Sequence, residues 1–297
     1  MKLIIERSTL LRSLGHVQSV VERRTTIPIL SNVRLDAAKG SLSLNATDMD
    51  LEIVEAADAD VSQGGATTAP AHTLYDIVRK LSDGAQVELA FGGESQLTLT
   101  SGRSRFQLAC LPVDDFPALV SGDFSHTFSL AAADLRSLID RTRFAISTEE
   151  TRYYLNGIYL HSADADGVDV LRTVATDGHR LARVELPLPE GASGMPGIIV
   201  PRKAVTEIRK LIEEADGDVS VSLSDAKIRF SIGDTVLTSK LIDGTFPDYE
   251  RVIPTGNDKV LETDCKTLSK AVDRVSAISS EKSRSIKLIM EKGLVTL

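Results

Sequence analysis

Apolar residues follow two different spacings along the chain. Every second residue is apolar in runs such as 86–90 and 218–223, which is typical of strands that bury one face of an antiparallel sheet. Elsewhere apolar residues recur every three or four positions, as Leu135, Leu138 and Ile139 do, and this spacing predicts helices with one buried stripe. We therefore predict an α+β fold of antiparallel sheets, with helices over 12–24, 73–81, 134–144, 202–212 and 266–278.

The sequence also repeats itself. Four anchors keep the same order in two copies, with offsets between 124 and 130 residues. Chance similarity would not preserve both order and spacing, so an internal duplication organises the fold. The anchor pairs are Leu11 with Leu135, Asp48 with Asp177, Leu81 with Leu211, and Phe116 with Phe246.

A third copy of the repeat begins near the end of the sequence. Residues 268–278 follow the helix pattern of 135–146, and residues 280–284 stand 132 positions after 148–152. A segment of roughly 40 residues buries too little surface to be stable alone, so we expect the natural protein to continue beyond Leu297. We predict domains at 1–126, 127–257 and 258–297, the last being the first part of a third domain.

Charge is distributed unevenly between the predicted helices and the rest of the chain. Of 34 basic and 42 acidic residues, the five predicted helices hold 15 and 6, which leaves 19 and 36 elsewhere. One interpretation is that Lys and Arg simply favour helix surfaces. The other is a basic helical surface that faces polyphosphate, while acidic residues elsewhere limit unproductive binding. Such contacts carry no sequence information, and with 8 Phe, 5 Tyr and no Trp a broad base-stacking platform is not expected.

Composition and motifs limit the remaining classes. Two cysteines cannot form a disulfide framework or a four-cysteine zinc site, so we expect a reducing, cytoplasmic setting without metal or cofactor. The apolar start at residues 3–5 is too short for a signal or membrane segment. The sequence contains no Gly-rich nucleotide loop and no hydrolase or zinc-protease motif, which argues against an enzyme.

Asp177 and His179 keep an enzymatic alternative open, because they could act as a general acid and base. Asp48 occupies the equivalent position in the first copy without a histidine, so a turn whose carboxylate accepts backbone N–H groups is the simpler interpretation. His179 has no counterpart in the first copy, which favours a binding role.

Residues 152–154 are the densest aromatic and basic spot in the chain. If they form a strand, Tyr153 and Tyr154 point to opposite sides, one into the core and one toward a partner. Arg23 and Arg24 are placed at a predicted helix end, where a cation offsets the helix dipole.

Six segments distributed over the chain carry a family resemblance. They are residues 26–32, 101–106, 152–157, 173–181, 199–203 and 246–249. On these segments the chain resembles bacterial DNA polymerase III beta subunits, the replicative sliding clamps. The resemblance implies three clamp domains per chain, each with two helices that face a central DNA channel, and a head-to-tail homodimer that closes a ring. A chain that ends at Leu297 is then expected not to close this ring.

The resemblance also implies partners and a mechanism. The ring encircles double-stranded DNA independently of sequence and performs no chemistry, while the ATPase of a clamp loader opens it. Replicative and other polymerases, together with repair proteins that carry clamp-binding peptides, dock on the ring and gain processivity. An enzyme centred on Asp177 and His179, and an interaction scaffold that never meets DNA, remain the alternatives.

Individual roles follow from the resemblance by position. The residues implied in DNA contact are Arg24, His72, Arg79, Tyr153, Tyr154, Arg202 and Lys203. The residues implied in the peptide groove are Leu155, Thr176, Gly178, His179, Arg180, Leu181, Pro247, Arg251 and Val252. The residues implied in the dimer interface are Phe106, Leu108, Ala277 and Ile278. His72 stands where the family usually has a basic residue, and Glu149, which would repel phosphate, stands where Gln is frequent.

Overall fold

Strands and helices follow the same order in the first two copies of the repeat. The computed structural model describes residues 1–93, 95–117, 122–213, 215, 217–279 and 285–297. These residues form two compact units, Met1–Phe246 and Pro247–Leu297, and the first unit holds both copies. The third-copy anchor at residues 280–284 lies outside the described residues.

The first copy places two helices among its strands. The helices are α1 (Arg7–Gln18) and α2 (Ala71–Arg79). The strands are β1 (Lys2–Glu6), β2 (Asn32–Ala38), β3 (Ser41–Thr47), β4 (Leu51–Asp58), β5 (Asp60–Gln63), β6 (Gly65–Pro70), β7 (Gln86–Phe91), β8 (Gln96–Ser101) and β9 (Ser104–Ala109). Short 3-10 helices lie at Pro28–Ser31 and Val113–Asp115.

The second copy repeats these elements in order, without a counterpart of β5 among the described residues. Its helices are α3 (Ala132–Asp140) and α4 (Arg202–Leu211). Its strands are β10 (His126–Ala131), β11 (Gly157–Ala165), β12 (Val168–Thr176), β13 (Leu181–Pro187), β14 (Ile198–Pro201), β15 (Asp218–Leu223), β16 (Lys227–Ile232) and β17 (Thr235–Lys240). Its 3-10 helices are Arg143–Ala145 and Glu150–Leu155.

One antiparallel sheet crosses the boundary between the copies. The strand orders are β5-β1-β7-β8-β9, β13-β12-β11-β14 and β10-β15-β16-β17-β4-β3-β2-β6. In the third of these, β17 of the second copy pairs with β4 of the first, from Thr235 opposite Glu55 to Ser239 opposite Leu51. Backbone hydrogen bonds therefore join the two copies edge to edge.

The alternating and helical spacings both place their apolar residues in the core. Val87 and Leu89 on β7 are fully buried, and α3 buries Leu135, Leu138 and Ile139. The predicted α+β fold with antiparallel sheets is therefore confirmed.

Helix α1 begins and ends several residues earlier than the apolar spacing predicts. The prediction of 12–24 is wrong because Val20 and Val21 remain buried after the helix has ended and so continue its apolar pattern. Arg23 and Arg24 lie beyond the helix, separated from its last turn. The interpretation that they offset its dipole is therefore also wrong.

The other predicted helices match more closely. The windows 73–81, 202–212 and 266–278 agree with the observed helices within two residues at each end. The window 134–144 extends too far, because the Thr142 hydroxyl donates to the Leu138 carbonyl oxygen at 2.6 Å and competes with the backbone at the end of α3.

The second unit contains one helix and a short hairpin among its described residues. These are α5 (Cys265–Ser276), β18 (Ile289–Glu291) and β19 (Leu294–Thr296), preceded by a 3-10 helix at Tyr249–Val252. Asp264 caps α5 by accepting a hydrogen bond from the Thr267 backbone N–H at 2.8 Å. Across the described part of the chain, every helix is too short or too polar to cross a membrane.

Candidate nucleic-acid and peptide-binding surfaces

Basic residues remain concentrated on the helices when the observed helix bounds replace the predicted ones. The five α-helices of the described residues hold 11 basic and 5 acidic residues, and the rest of the sequence holds 23 and 37. The excess is smaller than predicted because residues such as Arg23, Arg24 and Arg141 lie outside the helices. The helices still hold more basic than acidic residues, which supports a basic helical surface.

Lys203 links the two copies of the repeat. Its ammonium group donates to the Asp48 carboxylate, to the Glu22 carboxylate at 3.3 Å and to the Val20 carbonyl oxygen at 3.1 Å. Burial opposes the charged form, but the two carboxylates outweigh that effect and raise the pKa of Lys203. A side chain that the resemblance assigns to DNA is thus also a contact between α4 and the first copy.

Three further residues assigned to DNA are exposed near helix ends. Arg24 follows α1 without a hydrogen bond or ion pair to the described part of the chain. Arg79 ends α2 and pairs with Asp76 at 3.0 Å. Arg202 begins α4 and donates to the Ser147 carbonyl oxygen at 2.9 Å.

His72, the remaining helical residue assigned to DNA, is turned inward. Its Nδ1 lies 2.8 Å from the Gln18 side-chain oxygen, and its Nε2 lies 3.0 Å from the Val21 carbonyl oxygen. These contacts fasten the start of α2 to the chain at the end of α1. The role of His72 toward DNA stays a prediction.

Tyr153 and Tyr154 lie in the 3-10 helix Glu150–Leu155, and the prediction that they form a strand is wrong. The Arg152 backbone N–H donates to the Glu149 carbonyl oxygen at 3.3 Å, so a turn brings the side chains of this ion pair together, and the backbone kinks at Arg152. The two rings meet edge to face with centroids 5.7 Å apart. Neither tyrosine is buried, and Tyr153 is 54% exposed, so both can meet a partner.

Gly244 packs against Tyr153 and Tyr154. A Cβ atom at this position would lie 3.1 Å from the Tyr154 Cβ and 3.5 Å from a ring carbon of Tyr153. The absence of a side chain therefore lets the segment after β17 pack directly against both tyrosines.

Glu149 and Arg152 form a side-on ion pair beside the tyrosines. The Arg152 Nε donates to Glu149 Oε2 at 2.8 Å, and Nη2 lies 2.6 Å from Oε1. The hydrogen bond from Arg152 lowers the pKa of Glu149, and the carboxylate in turn raises the pKa of Arg152. The phosphate-repelling charge of Glu149 is thus compensated within the protein.

Asp177 organises the turn between β12 and β13. Its Oδ1 accepts the backbone N–H groups of His179 and Arg180, each at 3.0 Å, and its Oδ2 accepts Arg180 Nε at 3.0 Å. Burial would raise the pKa of Asp177, but these hydrogen bonds outweigh it and lower the pKa. Asp48 likewise accepts the N–H groups of Asp50 and Leu51 at 2.9 and 2.7 Å. The prediction that both aspartates are turn devices is confirmed.

The same turn collects most of the residues assigned to the peptide groove. Thr176 donates to the Arg180 carbonyl oxygen at 2.8 Å and accepts from the Gly178 N–H at 3.1 Å. His179 and Arg180 are exposed, Leu181 is half-buried, and Leu155 is buried in the neighbouring 3-10 helix. The first unit therefore brings six of the nine groove residues onto two adjacent segments.

The other three groove residues belong to the second unit. Pro247, Arg251 and Val252 are exposed, and Val252 is 68% exposed. Arg251 pairs with Asp248 at 2.7 Å. Their role in the groove stays a prediction.

The residues assigned to the dimer interface also fall in both units. Phe106 lies on β9, the last strand of its sheet, and is 37% exposed, whereas Leu108 on the same strand is buried. Ala277 and Ile278 follow α5, and Ile278 is 90% exposed. This assignment likewise stays a prediction.

Sequence reasoning missed the contacts of Arg152 with Glu149 and the contacts by which Lys203 bridges the two copies. Arg152 belongs to a segment that carried the resemblance, so its position was visible although its contacts were not. Within the described ranges, no three His, Cys, Asp or Glu side chains are grouped so that they could hold a metal ion.

The duplicated arrangement of helices and edge-joined antiparallel sheets is that of a DNA sliding clamp. Three family models match successive parts of the chain, namely the N-terminal domain of the DNA polymerase III beta subunit at residues 1–120, the central domain at 129–248 and the C-terminal domain at 250–297. The chain belongs to the DNA polymerase III beta subunit family.

Comparison with individual proteins agrees with this assignment. The chain is 57% identical over 298 residues to the beta sliding clamp of Caulobacter vibrioides, covering 100% of the chain and 80% of the relative. It is 40% identical over 294 residues to the Escherichia coli beta sliding clamp, covering 99% and 79%.

Solved sliding clamps have the same fold. A Bartonella birtlesii clamp bound to griselimycin matches with a TM-score of 0.95 at 55% identity, covering 98% of this chain and 78% of that one. A Caulobacter crescentus clamp matches with a TM-score of 0.96 at 57% identity, again covering 98% and 78%.

Proposed function

We propose that the protein, with its third domain complete, assembles head to tail into a closed ring around duplex DNA. The ring tethers replicative polymerases and other clamp-binding proteins and catalyses no reaction itself. A clamp loader opens it and places it on DNA.

The junction between β17 and β4 is the observation that carries this proposal. The first-copy equivalent of β17 is β9, and the second-copy equivalent of β4 is β13. Each lies at the edge of its sheet and pairs with a single neighbour among the described strands. A further copy can therefore dock at either edge with the register used inside the chain. Repetition of one head-to-tail interface closes into a ring when its rotation fits.

The β9 edge has the properties of an interface strand. Unpaired backbone groups on an edge strand are a ready template for pairing with another chain. Phe106 on this strand adds an exposed aromatic ring, and exposed aromatic residues are enriched at protein interfaces. These features support a homodimer in which β9 meets a third-domain edge of the partner.

The charge distribution supports sliding rather than tight binding. The helices carry the basic excess and the rest of the chain carries the acidic excess, so the attraction to DNA is confined to one set of elements. Exposed phosphate contacts are screened by salt and are independent of sequence. A ring held by topology needs no stronger contact, and stronger contacts would slow its movement.

The arrangement of the second copy supports a docking role for the Asp177 turn. Both Asp177 oxygens are engaged in the turn, which leaves His179 and Arg180 displayed on a fixed backbone beside Leu155. A rigid turn with exposed polar side chains next to a buried apolar residue suits the binding of a short peptide. It does not supply the free carboxylate that acid–base catalysis by Asp177 would use.

Retention on circular DNA tests the proposal. The protein with a complete third domain is loaded onto a nicked circular plasmid with a clamp loader and ATP, and the bound fraction is followed by gel filtration. We expect stable retention on the circle and rapid loss after a restriction enzyme linearises the plasmid. Blocking both ends of the linear DNA with bound proteins should restore retention.

Other outcomes would favour the alternatives. Retention on linear DNA with open ends would contradict a freely sliding ring. No retention on any DNA, together with binding to polymerases, would indicate a scaffold. For His179→Ala we expect weaker peptide docking, whereas the abolition of a measurable turnover would indicate an enzyme.

A further inference from the structure

Arg152 is held by two contacts with Glu149. Its Nε and Nη2 atoms face the Glu149 carboxylate at 2.8 and 2.6 Å. This side-on geometry occupies the Nε–Nη2 edge, which is one of the guanidinium edges that can bind a phosphate through two hydrogen bonds. The pair lies at the start of the 3-10 helix that displays Tyr153 and Tyr154.

The third guanidinium nitrogen lies against the Asp177 turn. A Cβ atom built on Gly178 would come within 2.6 Å of Arg152 Nη1, so only glycine lets the guanidinium lie this close to the backbone. Gly178 also has a φ of +89°, which other residues rarely adopt. Glycine at position 178 therefore permits both the positive φ of the turn and the close approach of Arg152.

The pair neutralises charge where the tyrosines are exposed. The Arg152 side chain is 33% exposed and the Glu149 side chain 52% exposed, so solvent and ions reach both. An exposed ion pair contributes little to stability because water screens it. The guanidinium fork matches phosphate as well as carboxylate, so a phosphate group can form a two-bond contact with Arg152 once the carboxylate is removed.

We propose that Arg152 is a nucleic-acid-binding residue held in reserve by Glu149, which keeps its guanidinium on Gly178 and away from phosphate. The inference rests on the proposed contact between the Tyr153–Tyr154 segment and DNA. When the carboxylate is removed, the guanidinium becomes available to the phosphate of a strand that lies on the tyrosines. Glu149 thus weakens this contact and keeps the clamp free to move.

Glu150 provides a matched control for this mechanism. It is the next residue, is exposed and is acidic, and it makes no ion pair with the described residues. Glu150→Gln therefore removes the same charge from the same segment without releasing Arg152. Comparison with Glu149→Gln separates the release of a cation from the loss of a negative charge.

The test is the affinity for a labelled primed template, a duplex with a single-stranded overhang, measured by fluorescence anisotropy across a salt series. We expect Glu149→Gln to bind at least threefold more tightly than Glu150→Gln. We also expect the slope of log K against log salt to steepen by about 1, as one added phosphate contact predicts. In Glu149→Gln/Arg152→Gln the gain and the steeper slope should both disappear.

Tyr153→Ala distinguishes failure of the inference from failure of the proposed function. If Tyr153→Ala weakens binding while Glu149→Gln and Glu150→Gln behave alike, the reserve role is wrong and the DNA contact stands. If the double variant keeps the gain, Arg152 is not its source and the inference is also wrong. If the template does not bind, or binds regardless of Tyr153, the DNA contact fails and the inference falls with it. Thermal unfolding of each variant checks that all of them are folded.

Discussion

Lys203 on α4 reaches across the repeat boundary to Asp48, the residue that organises the equivalent turn in the first copy. One Asp48 oxygen accepts backbone N–H groups within its turn, and the other accepts the ammonium group of Lys203. In the second copy, Asp177 uses its corresponding oxygen for Arg180. The repeated aspartate therefore organises its turn in both copies. Only Asp48, in the first copy, also binds a side chain from the next copy.

Lys203→Met should lower the free energy of unfolding by about 1 kcal/mol, because Lys203 is 37% exposed and its ion pair is partly screened. Urea denaturation at neutral pH measures the change. Lys240→Met removes a second ion pair between the copies, the one between Lys240 and Asp50. These two side chains are 49% and 78% exposed, so Lys240→Met should lower the free energy of unfolding by less. An equal or larger loss in Lys240→Met would contradict a special role for Lys203.

Met49→Gly should stabilise the protein by about 1 kcal/mol, because Met49 has a φ of +78° in a left-handed conformation that costs L-residues roughly this amount. Its counterpart in the second copy is Gly178, at +89°. Thermal or urea unfolding provides the measurement. Met49→Ala retains the Cβ atom and should give no such gain, so stabilisation by alanine as well would exclude backbone strain as the cause.

Gly178→Ala should destabilise the second copy, since it adds strain at a positive φ and forces the Arg152 guanidinium, whose Nη1 lies 2.6 Å from the added Cβ position, to move aside. We expect a loss of about 1–3 kcal/mol in the free energy of unfolding. Gly167→Ala is the control, because Gly167 has a similar φ of +84° but open space around the added carbon. If both variants lose the same stability, the contact with Arg152 adds nothing.

Glu55 should give the junction a specific dependence on acid. It is 2% exposed, and its carboxylate lies 2.6 Å from His16 Nδ1 and accepts the Ser13 hydroxyl at 2.7 Å. Burial alone would raise the pKa of Glu55, but hydrogen bonds and charge from His16, with the Ser13 bond, outweigh it and lower the pKa. The resulting stabilisation is present above the ordinary glutamate pKa of about 4.3 and is lost as the pH falls through the lowered folded value.

The variant Glu55→Gln tests this dependence. At pH 7 it should lower the free energy of unfolding by about 1–3 kcal/mol, as expected for a disrupted buried hydrogen-bonded pair. The difference from the parent protein should narrow as the pH falls from about 4.3 through the lowered folded pKa of Glu55, because the parent carboxylate becomes protonated over this range. Asp58→Asn changes an exposed carboxylate on the same strand and should change the free energy of unfolding by less at pH 7. A constant difference for Glu55→Gln would show that its ionisation is not linked to folding.

Local features were the ones that the sequence predicted well. The alternating runs at β7 and β15, the stripe of Leu135, Leu138 and Ile139 and the repeated Asp48 and Asp177 turns each depend on residues close in the chain. The strand pleat causes the alternation, the helical period causes the stripe, and the aspartate side chains cap the turns. Each of these causes acts over a few positions in the chain. The family resemblance then supplied the class of protein.

Contacts between distant residues were not predictable from the same patterns. Lys203 and Asp48 are 155 positions apart, and the pairing of β17 with β4 has no signature in either strand. The end of α1 was missed because tertiary packing buries Val20 and Val21 after the helix stops. The 3-10 helix that contains Tyr153 and Tyr154 has no signature in the residues around it, so sequence patterns do not predict it.

The sheet that joins the two copies through β17 and β4 affects where the proposed ring can open. Strands β17 and β4 belong to one polypeptide and are also joined by a ladder of backbone hydrogen bonds. If the two strands separate briefly, the chain keeps them close, and they pair again in the same register. A seam between separate chains has no such tether. In the proposed ring, we therefore expect opening where one polypeptide meets another, while the β17–β4 junction within the chain stays paired.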